Sequence, residues 1–279
     1  MKLISIAGNT QKLDGGAMYG NAPREVWSKW SLPDAQNRIT LACRALLLQT
    51  DDGKTILFET GIGNFFEPKL KERFGVVEPE HVLLASLTAV SVKPEDIDAV
   101  VLSHLHFDHA GGLLSSYSDG PLHLVFPKAE FYVGKRHWDR AQNPHARDRA
   151  SFIPTLNQLL KDSGRLVLVD DDGKTDLASG LTFRFSDGHT PGLMLSQIQT
   201  AHGPLVFVAD LIPGMSWMHL PITMGYDRYP ELLVSEKTAL LNDLLRQNGR
   251  VFFTHDPQTP CAFVKKDANG RFFGEEVRL

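Results

Sequence analysis

The segment 104–109 reads HLHFDH and places three imidazoles and one carboxylate within six positions, at His104, His106, Asp108 and His109. Neutral imidazole nitrogen and carboxylate oxygen are the donors that borderline divalent cations such as Zn²⁺ bind. These four donors outnumber what one tetrahedral ion usually takes from one segment, so the cluster predicts two metal ions. The alternative, a surface loop of solvated histidines, usually explains one or two scattered histidines and does not account for four grouped donors.

The residues on either side of this segment indicate how the donors are held. Residues 97–102 (IDAVVL) form a short apolar run rich in β-branched side chains, which predicts a buried strand that ends near Ser103. The paired glycines Gly111 and Gly112 follow, and glycine lets the chain turn sharply without Cβ clashes. A loop on a rigid sheet suits metal binding because its donors stay aimed at one point.

Length and composition restrict the classes of protein that this chain can belong to. We expect residues 1–279 to form a single domain with a sizeable core. The 29 Lys and Arg residues nearly balance 33 Asp and Glu and are spread along the chain, which argues against nucleic acid or a membrane as partner. Cys43 and Cys261 are too few for a disulfide framework and are predicted to be reduced core residues. The first residues lack a secretory pattern and no apolar run reaches about 18 residues, so a soluble cytoplasmic enzyme is expected.

Apolar runs bounded by turn residues predict strands, and apolar residues at helical spacing predict helices. The predicted strands cover residues 3–7, 39–49, 54–58, 97–102, 129–133, 166–169, 181–185, 195–199, 205–208 and 251–254. Helices are predicted at residues 80–90, 154–162 and 230–247. Two stretches rich in Gly, Pro and aromatic residues, 9–33 and 211–229, are predicted to be long loops that form walls of a substrate site.

Three further metal donors follow predicted strands later in the chain. His189 lies in the turn SDGHTPG, Asp210 follows the strand at 205–208, and His255 follows the strand at 251–254. Taken singly, a strand-end Asp is usually a turn former or helix cap, and an isolated His is usually a satisfied polar residue. A site for two metal ions wants about seven protein donors, and these three complete that number.

The order HxHxDH, then a distant His, then Asp, then His resembles the pattern of the metallo-β-lactamase-fold hydrolase superfamily, and all seven positions are filled. The resemblance covers roughly residues 39–256 and implies that His104, His106 and His189 bind one metal, while Asp108, His109 and His255 bind the second. Asp210 would bridge the two ions. The same resemblance implies an α/β fold that is a four-layered αβ/βα sandwich, with two mixed β-sheets flanked by helices.

Within that superfamily, the motifs DGGAMYG at 14–20, HLHFDHAGG, FSDGHTPG, ADLIPG and HLPITMGYD at 219–227 resemble the branch with quorum-quenching N-acyl-homoserine lactonases and methyl-parathion-type hydrolases. Many small lactonases carry a tyrosine three residues after the bridging aspartate to polarise the substrate carbonyl, but Pro213 stands there in this chain. We predict Tyr226 as the replacement donor, followed by Tyr19 and His219. Packing within a lid is the alternative role for these side chains, and for Met18, Trp217 and Met218.

The resemblance implies two divalent metal ions, Zn²⁺ first, with Mn, Fe or Co according to supply. Two such cations lower the pKa of a shared water toward roughly 7, and the resulting hydroxide would attack a lactone or ester carbonyl. Asp108 would orient that hydroxide or pass a proton to the leaving group. The expected partners are a small-molecule lactone or ester and, if the chain self-associates, a second copy in a homodimer.

Three other functions known on this fold remain as alternatives. An organophosphate (phosphotriester) hydrolase would use the same donors, and a mono-iron persulfide-type oxidoreductase would bind one metal per chain and consume oxygen. Nucleic-acid processing would require a basic surface, which the balanced charge argues against. Outside the motifs, residues 137–149 are predicted to be an exposed helix and loop, and His81, His123 and His202 to be surface or turn residues.

Overall fold

The computed structural model describes residues 1–279, and residue contacts divide the chain into two compact units. Unit 1 contains Met1–Gln11 and Ala42–Lys174, and unit 2 contains Lys12–Leu41 and Thr175–Leu279. The expectation that residues 1–279 act as a single domain stays a prediction. None of the helices is both long enough and apolar enough to cross a membrane.

The secondary structure consists of 14 β-strands and eight α-helices. The strands are β1 Lys2–Ile6, β2 Gln11–Asp14, β3 Arg38–Leu41, β4 Ala45–Gln49, β5 Thr55–Phe58, β6 Ala99–Leu102, β7 Glu130–Gly134, β8 Leu166–Val169, β9 Leu181–Ser186, β10 Leu193–Thr200, β11 Gly203–Phe207, β12 Arg250–Phe252, β13 Cys261–Lys266 and β14 Phe272–Glu276. The α-helices are α1 Gly15–Tyr19, α2 Arg24–Trp27, α3 Pro68–Arg73, α4 Val82–Ala89, α5 Phe107–Ala110, α6 Lys135–Gln142, α7 Pro154–Asp162 and α8 Pro230–Arg246.

Unit 1 is built on a six-stranded mixed sheet with the order β1-β4-β5-β6-β7-β8. The first three strands pair antiparallel, and β5 to β8 pair parallel. Every residue of β5 and β6 is buried, as expected for central parallel strands covered on both faces. The core of this unit contains Leu57, Val100 and Phe131 from the sheet, Leu83 and Leu87 from α4, and Leu156 and Leu160 from α7. The segment 104–109 therefore follows a buried strand, as predicted.

Unit 2 contains a second six-stranded mixed sheet with the order β14-β13-β12-β11-β10-β9. Its neighbouring strands are antiparallel except for β11 and β12, which pair parallel. The 17-residue helix α8 buries Leu233, Leu240, Leu241 and Leu244, which recur at helical spacing along one face. This helix was predicted from the same periodicity to within one residue.

The structure differs from the predicted elements in four places, one of which is the helix α3, where no element was predicted. The predicted strand 39–49 is two strands, β3 and β4, separated around Cys43. There the Cys43 carbonyl oxygen packs against two glycines, and a Cβ atom on Gly8 or Gly61 would lie only 2.1 or 2.4 Å from that oxygen. The predicted loop 9–33 contains β2, α1 and α2, and the C-terminal hairpin of β13 and β14 was not predicted. Cys43 and Cys261 are free and buried, which confirms their prediction.

Candidate metal centre

The donors of HLHFDH follow the end of β6 at Leu102: His104 and His106 precede the short helix α5, and Asp108 and His109 lie within it. His104 and His109 are fully buried, and His106 is 7% exposed. The Asp108 side chain is 14% exposed, and its Oδ2 atom lies 3.8 Å from His109 Nε2. Buried polar groups need hydrogen bonds or a bound ion to offset the loss of water. The partners of these imidazoles therefore decide what the segment can bind.

A buried carboxylate from the end of β5 fixes the two fully buried imidazoles. Glu59 Oε2 lies 2.8 Å from His109 Nδ1, and Ser103 donates its hydroxyl proton to Glu59 Oε1. Because a serine has one O–H proton, His104 Nδ1, 2.8 Å from Ser103 Oγ, must be the donor in that contact. Both histidines thus carry the proton on Nδ1, which indicates Nε2 as the ligating atom.

Glu59 was not identified from the sequence, although the signal is visible in FETG, where a carboxylate follows the buried strand β5. Glu59, His104 and His109 each place one donor atom within 4.8 Å of the others, so this trio could itself hold a cation. The hydrogen bonds of Glu59 favour an orienting role instead. Its backbone has φ of 60°, a left-handed conformation that non-glycine residues seldom adopt and that occurs preferentially at functional sites.

The prediction that residues 137–149 form an exposed helix and loop is wrong for His137. This residue lies on α6 and is fully buried, together with Trp138 and Ala141, which share one helix face. Its Nε2 atom accepts a hydrogen bond of 2.8 Å from the backbone N–H of Leu105, the residue between two predicted ligands. The alternating charges of this stretch therefore describe only the outer face of the helix.

In unit 2, one carboxylate faces two imidazoles. Asp210 Oδ2 lies 3.1 Å from His189 Nε2, and Asp210 Oδ1 lies 3.2 Å from His255 Nε2. All three residues are buried and follow the strands β11, β9 and β12, as predicted from the sequence. The preceding residue, Ala209, has φ of 41°, so the backbone that presents Asp210 is in the left-handed region.

The protonation of His189 makes this arrangement informative. Its Nδ1 atom lies 2.8 Å from Asp227 Oδ1, and a carboxylate can only accept, so Nδ1 carries the proton. A neutral His189 then turns the lone pair of Nε2 toward the Asp210 oxygen, an arrangement that is repulsive unless a cation lies between the two atoms. Two donors on one tetrahedral zinc ion, with bonds of about 2.0–2.1 Å, are roughly 3.3 Å apart. The spacing of the unit 2 donors therefore fits coordination of a divalent metal ion.

Asp227, which the sequence did not identify, orients His189 and shapes the loop around it. Burial raises the pKa of the Asp227 carboxyl, while the hydrogen bond with His189 lowers it. Asp227 Oδ2 accepts from the backbone N–H of Met224. The turn that carries His189 is held separately by Glu236, whose carboxylate accepts from the hydroxyl of Ser186 and from the backbone N–H groups of Asp187 and Gly188.

The loop residues predicted to contact substrate occupy very different environments. Tyr19 is fully buried and stacked between Trp27 and Trp217, with ring centroids 5.6 and 4.4 Å away, and its hydroxyl lies 2.7 Å from Ser31 Oγ. Burial raises the pKa of the Tyr19 phenol. These contacts favour the packing role for Tyr19, as do exposures of 2%, 3% and 0% for Met18, Trp217 and Met218. Tyr226 is 44% exposed.

His219 lines a cleft of about 510 Å³ within unit 2, which we call the aromatic cleft. Its walls are Trp30, Met215, Ser216, His219, Asp267, Arg271, Phe272, Phe273 and Gly274. Trp30 and Phe273 are 40% and 44% exposed, an uncommon position for large aromatic side chains. A Cβ on Gly274 would lie 2.4 Å from Met215 Sδ, so glycine at this position lets the methionine lie against β14.

The remaining histidines follow the predictions with one exception. His123 and His202 are exposed, as expected. His81 was predicted to be a surface or turn residue, but it is 8% exposed and its Nε2 lies 3.2 Å from the carbonyl oxygen of Leu114. Burial lowers the pKa of His81 and so favours its neutral form.

The buried histidines and carboxylates, with Glu59 orienting His109 and Asp227 orienting His189, define the class of a metal-dependent enzyme. The profile of the metallo-beta-lactamase superfamily matches residues 38–255, and the chain belongs to this superfamily. The predicted fold, with mixed sheets flanked by helices, is confirmed.

Related proteins are metal-dependent hydrolases. An N-acyl homoserine lactonase from Bacillus cereus is 28% identical over 234 residues, which cover 79% of this chain and 83% of that protein. A probable metal-dependent hydrolase from Staphylococcus aureus superposes with a TM-score of 0.86 and 27% identity, over 100% of this chain and 98% of that one. AidC, a dizinc quorum-quenching lactonase, superposes with a TM-score of 0.75 and 24% identity, over 99% and 95% of the chains. The chain is thus a metallohydrolase related to acyl-homoserine lactonases at modest identity.

Proposed function

We propose that the chain hydrolyses a lactone or related ester, with an acyl-homoserine lactone as the first candidate, by using two divalent metal ions. The proposed ligands are His104, His106, Asp108 and His109 from unit 1, and His189, Asp210 and His255 from unit 2. The observation that carries the proposal is Asp210, whose two oxygens each face an imidazole nitrogen, at 3.1 and 3.2 Å. A carboxylate in that position is suited to bridge two ions.

The bound ions would polarise the substrate carbonyl and lower the pKa of a water molecule so that it can attack at neutral pH. The protein's own part is to hold the donors in fixed directions: Glu59 fixes His109 directly and His104 through Ser103, and Asp227 fixes His189. Asp108 is the most exposed of the unit 1 donors and is the group that we propose accepts a proton at its carboxylate and returns it to the leaving alkoxide.

Zinc is the proposed metal because the donor set is nitrogen and carboxylate oxygen, with no buried donor sulfur in the set. Elemental analysis of purified protein, followed by metal titration of the stripped protein, is expected to give two ions per chain. A stoichiometry of one iron per chain, accompanied by oxygen consumption, would instead favour the mono-iron oxidoreductase.

The substrate class is tested with a panel on one metal-loaded sample: acyl-homoserine lactones, simple aryl esters and a phosphotriester. Lactone turnover is expected, because the proposed mechanism attacks a carbonyl carbon and releases an alkoxide that stays tethered in the product. If the sample hydrolyses the phosphotriester efficiently and leaves lactones and esters intact, the organophosphate hydrolase replaces the lactonase.

Tyr226→Phe tests the proposed carbonyl donor. At a preorganised site, removal of a hydrogen-bond donor to a developing oxyanion lowers kcat by about 10²–10³-fold. The Tyr226 phenol is 44% exposed, and a donor in contact with water contributes less, so its loss should lower kcat on the order of 10-fold. We expect kcat for the lactone to fall by that amount while metal content is unchanged. Tyr229→Phe, which alters a phenol of 52% exposure three residues away, is the matched control. Full turnover by Tyr226→Phe would remove Tyr226 from the mechanism.

A further inference from the structure

Helix α8 carries a lysine that is completely buried. Lys237 has an exposure of 0%, and its Nζ atom donates to the backbone carbonyl oxygens of Trp217, His219 and Ile222 at 3.0, 3.3 and 2.7 Å. An ammonium group has three N–H donors and no acceptor, so these three carbonyls satisfy it completely. All three belong to one segment, 217–222, within the second of the long loops predicted from the sequence.

Burial of a charged amine costs free energy, and the contacts of Lys237 must offset that cost. Taking an ammonium group out of water costs several kcal/mol, which hydrogen bonds and neighbouring charges offset only when their geometry is good. Burial lowers the pKa of Lys237 to about 8, and the Asp227 carboxylate raises it. An apolar side chain such as leucine would fill this position on α8 without that cost. The three bonds to one segment therefore point to a role beyond packing.

The segment that Lys237 holds forms part of the aromatic cleft. His219 is one wall, and its ring packs edge-on against that of Trp30, another wall, with the ring centroids 6.1 Å apart. Trp217 donates its indole N–H to the carbonyl oxygen of Met18 at 3.0 Å and stacks on Tyr19, so it joins the two long loops. Loss of the three hydrogen bonds from Lys237 would therefore loosen both the His219 wall of the cleft and the stacked rings of Trp217 and Tyr19.

The same wall is continuous with the proposed metal ligands of unit 2. The backbone N–H of His255 donates to the carbonyl oxygen of Pro213, and Met215 N–H donates to Asp256 Oδ2. Residues 213–219 thus run from Pro213, which is hydrogen-bonded to the proposed ligand His255, to the wall of the aromatic cleft. A group bound in the cleft would be held beside the segment that follows Asp210.

The size and lining of the aromatic cleft indicate what it binds. A volume of about 510 Å³ is within the range of small-molecule sites, roughly 300–1,000 Å³, which are typically apolar with a few polar groups. Trp30, Met215, Phe272 and Phe273 supply apolar surface, while Ser216, His219, Asp267 and Arg271 supply polar groups. This combination suits an acyl chain that carries a polar end.

We propose that Lys237 is a positioning residue for substrate binding, which holds segment 217–222 so that the aromatic cleft receives the acyl chain of the substrate; this rests on the proposed function. Lys237 lies outside the reacting groups and acts through the backbone of the segment. Its loss should therefore change how tightly the substrate binds more than how fast the bound substrate reacts, and the change should grow with the length of the acyl chain.

The test compares Lys237→Met, which keeps the length of the side chain and removes its donors, with Lys237→Gln, whose amide keeps two donors without the charge. Lys161→Met is the matched control, because it makes the same chemical change at an exposed helical lysine that does not line the aromatic cleft. We expect KM for a decanoyl lactone to rise about 10-fold or more in Lys237→Met, with kcat within about 3-fold and a smaller effect for a butanoyl lactone. Lys237→Gln should be intermediate, and Lys161→Met should match wild type.

A second readout does not depend on turnover. Binding of N-hexanoyl-homoserine, followed by tryptophan fluorescence with metal content measured on the same samples, should weaken in Lys237→Met in parallel with KM. An unchanged KM and an unchanged binding constant in a folded Lys237→Met protein would overturn the proposal. So would equal effects on short and long acyl chains, or a failure of both variants to fold, because Lys237 would then serve stability alone.

Wild-type turnover on the substrate panel separates the two levels of inference. If the metal-loaded wild type hydrolyses no lactone or ester, the proposed function fails, and the Lys237 proposal fails with it. If the wild type hydrolyses lactones and Lys237→Met retains wild-type KM values across the acyl series, only the positioning role is lost.

Discussion

Asp210→Asn is expected to lower kcat/KM for the lactone by more than about 100-fold, because it removes the negative charge proposed to bridge the two ions. Substitution of groups that only orient metal ligands costs 10–100-fold, so loss of a proposed bridging ligand should exceed that range. The two Asp210 oxygens, 3.1 and 3.2 Å from the imidazoles of His189 and His255, would be replaced by one oxygen and one NH₂ group. The NH₂ group cannot donate an electron pair to a metal.

The measurement is kcat/KM together with the number of metal ions retained after dialysis. Asp176→Asn, the same change at an exposed aspartate of unit 2, is the control and should leave both quantities unchanged. Retention of two ions and near wild-type turnover by Asp210→Asn would refute a bridging role, and the assignment of the remaining donors to two ions would have to be revised.

Glu59→Gln is expected to weaken metal binding by about 10–100-fold, the range found for residues that orient ligands, and to destabilise the metal-free protein. The native carboxylate accepts from Ser103 and from His109 Nδ1. A glutamine can accept through one atom only, so its NH₂ group would oppose one of these donors. A buried donor without its acceptor costs about 1–3 kcal/mol, which is the expected loss in the free energy of unfolding.

Chemical denaturation of the metal-free protein measures the stability term, and competition with a chelator measures the affinity term. Glu95→Gln, at an exposed position of unit 1, is the control for loss of charge. Unchanged metal affinity in Glu59→Gln would mean that His104 and His109 are oriented by other contacts. A complete loss of one ion would favour Glu59 as a direct ligand, in keeping with its closeness to both histidines.

The predictions from sequence succeeded where the physical signal is local. The helix at 154–162 and the strand at 166–169 were predicted to the residue, because apolar spacing and flanking turn residues lie within the elements themselves. The metal donors of HLHFDH are a local signal of the same kind. The prediction of one strand at 39–49 was wrong because the break at Cys43 depends on close packing of Cys43 against Gly8 and Gly61. Both glycines lie outside the segment, so its apolar pattern carries no sign of the break.

The groups that orient the proposed ligands were missed for the same reason. Glu59 lies 50 residues from His109, and Asp227 lies 38 residues from His189. His137, 32 residues from Leu105, was assigned to the surface because its neighbours are charged. A hydrogen bond over such distances leaves no periodicity in the sequence, and a buried carboxylate or imidazole looks like an exposed one until its surroundings are known.

The sequence by itself determined the donor types, their order and the superfamily, because metal ligation depends on side-chain chemistry and on spacing within short segments. The tertiary structure decided which nitrogen of each oriented histidine carries the proton, which loop tyrosine is buried and which is exposed, and that a buried lysine holds the loop beside the aromatic cleft. These properties depend on burial and on hydrogen-bond partners distant in the chain, and both exist only once the chain is folded.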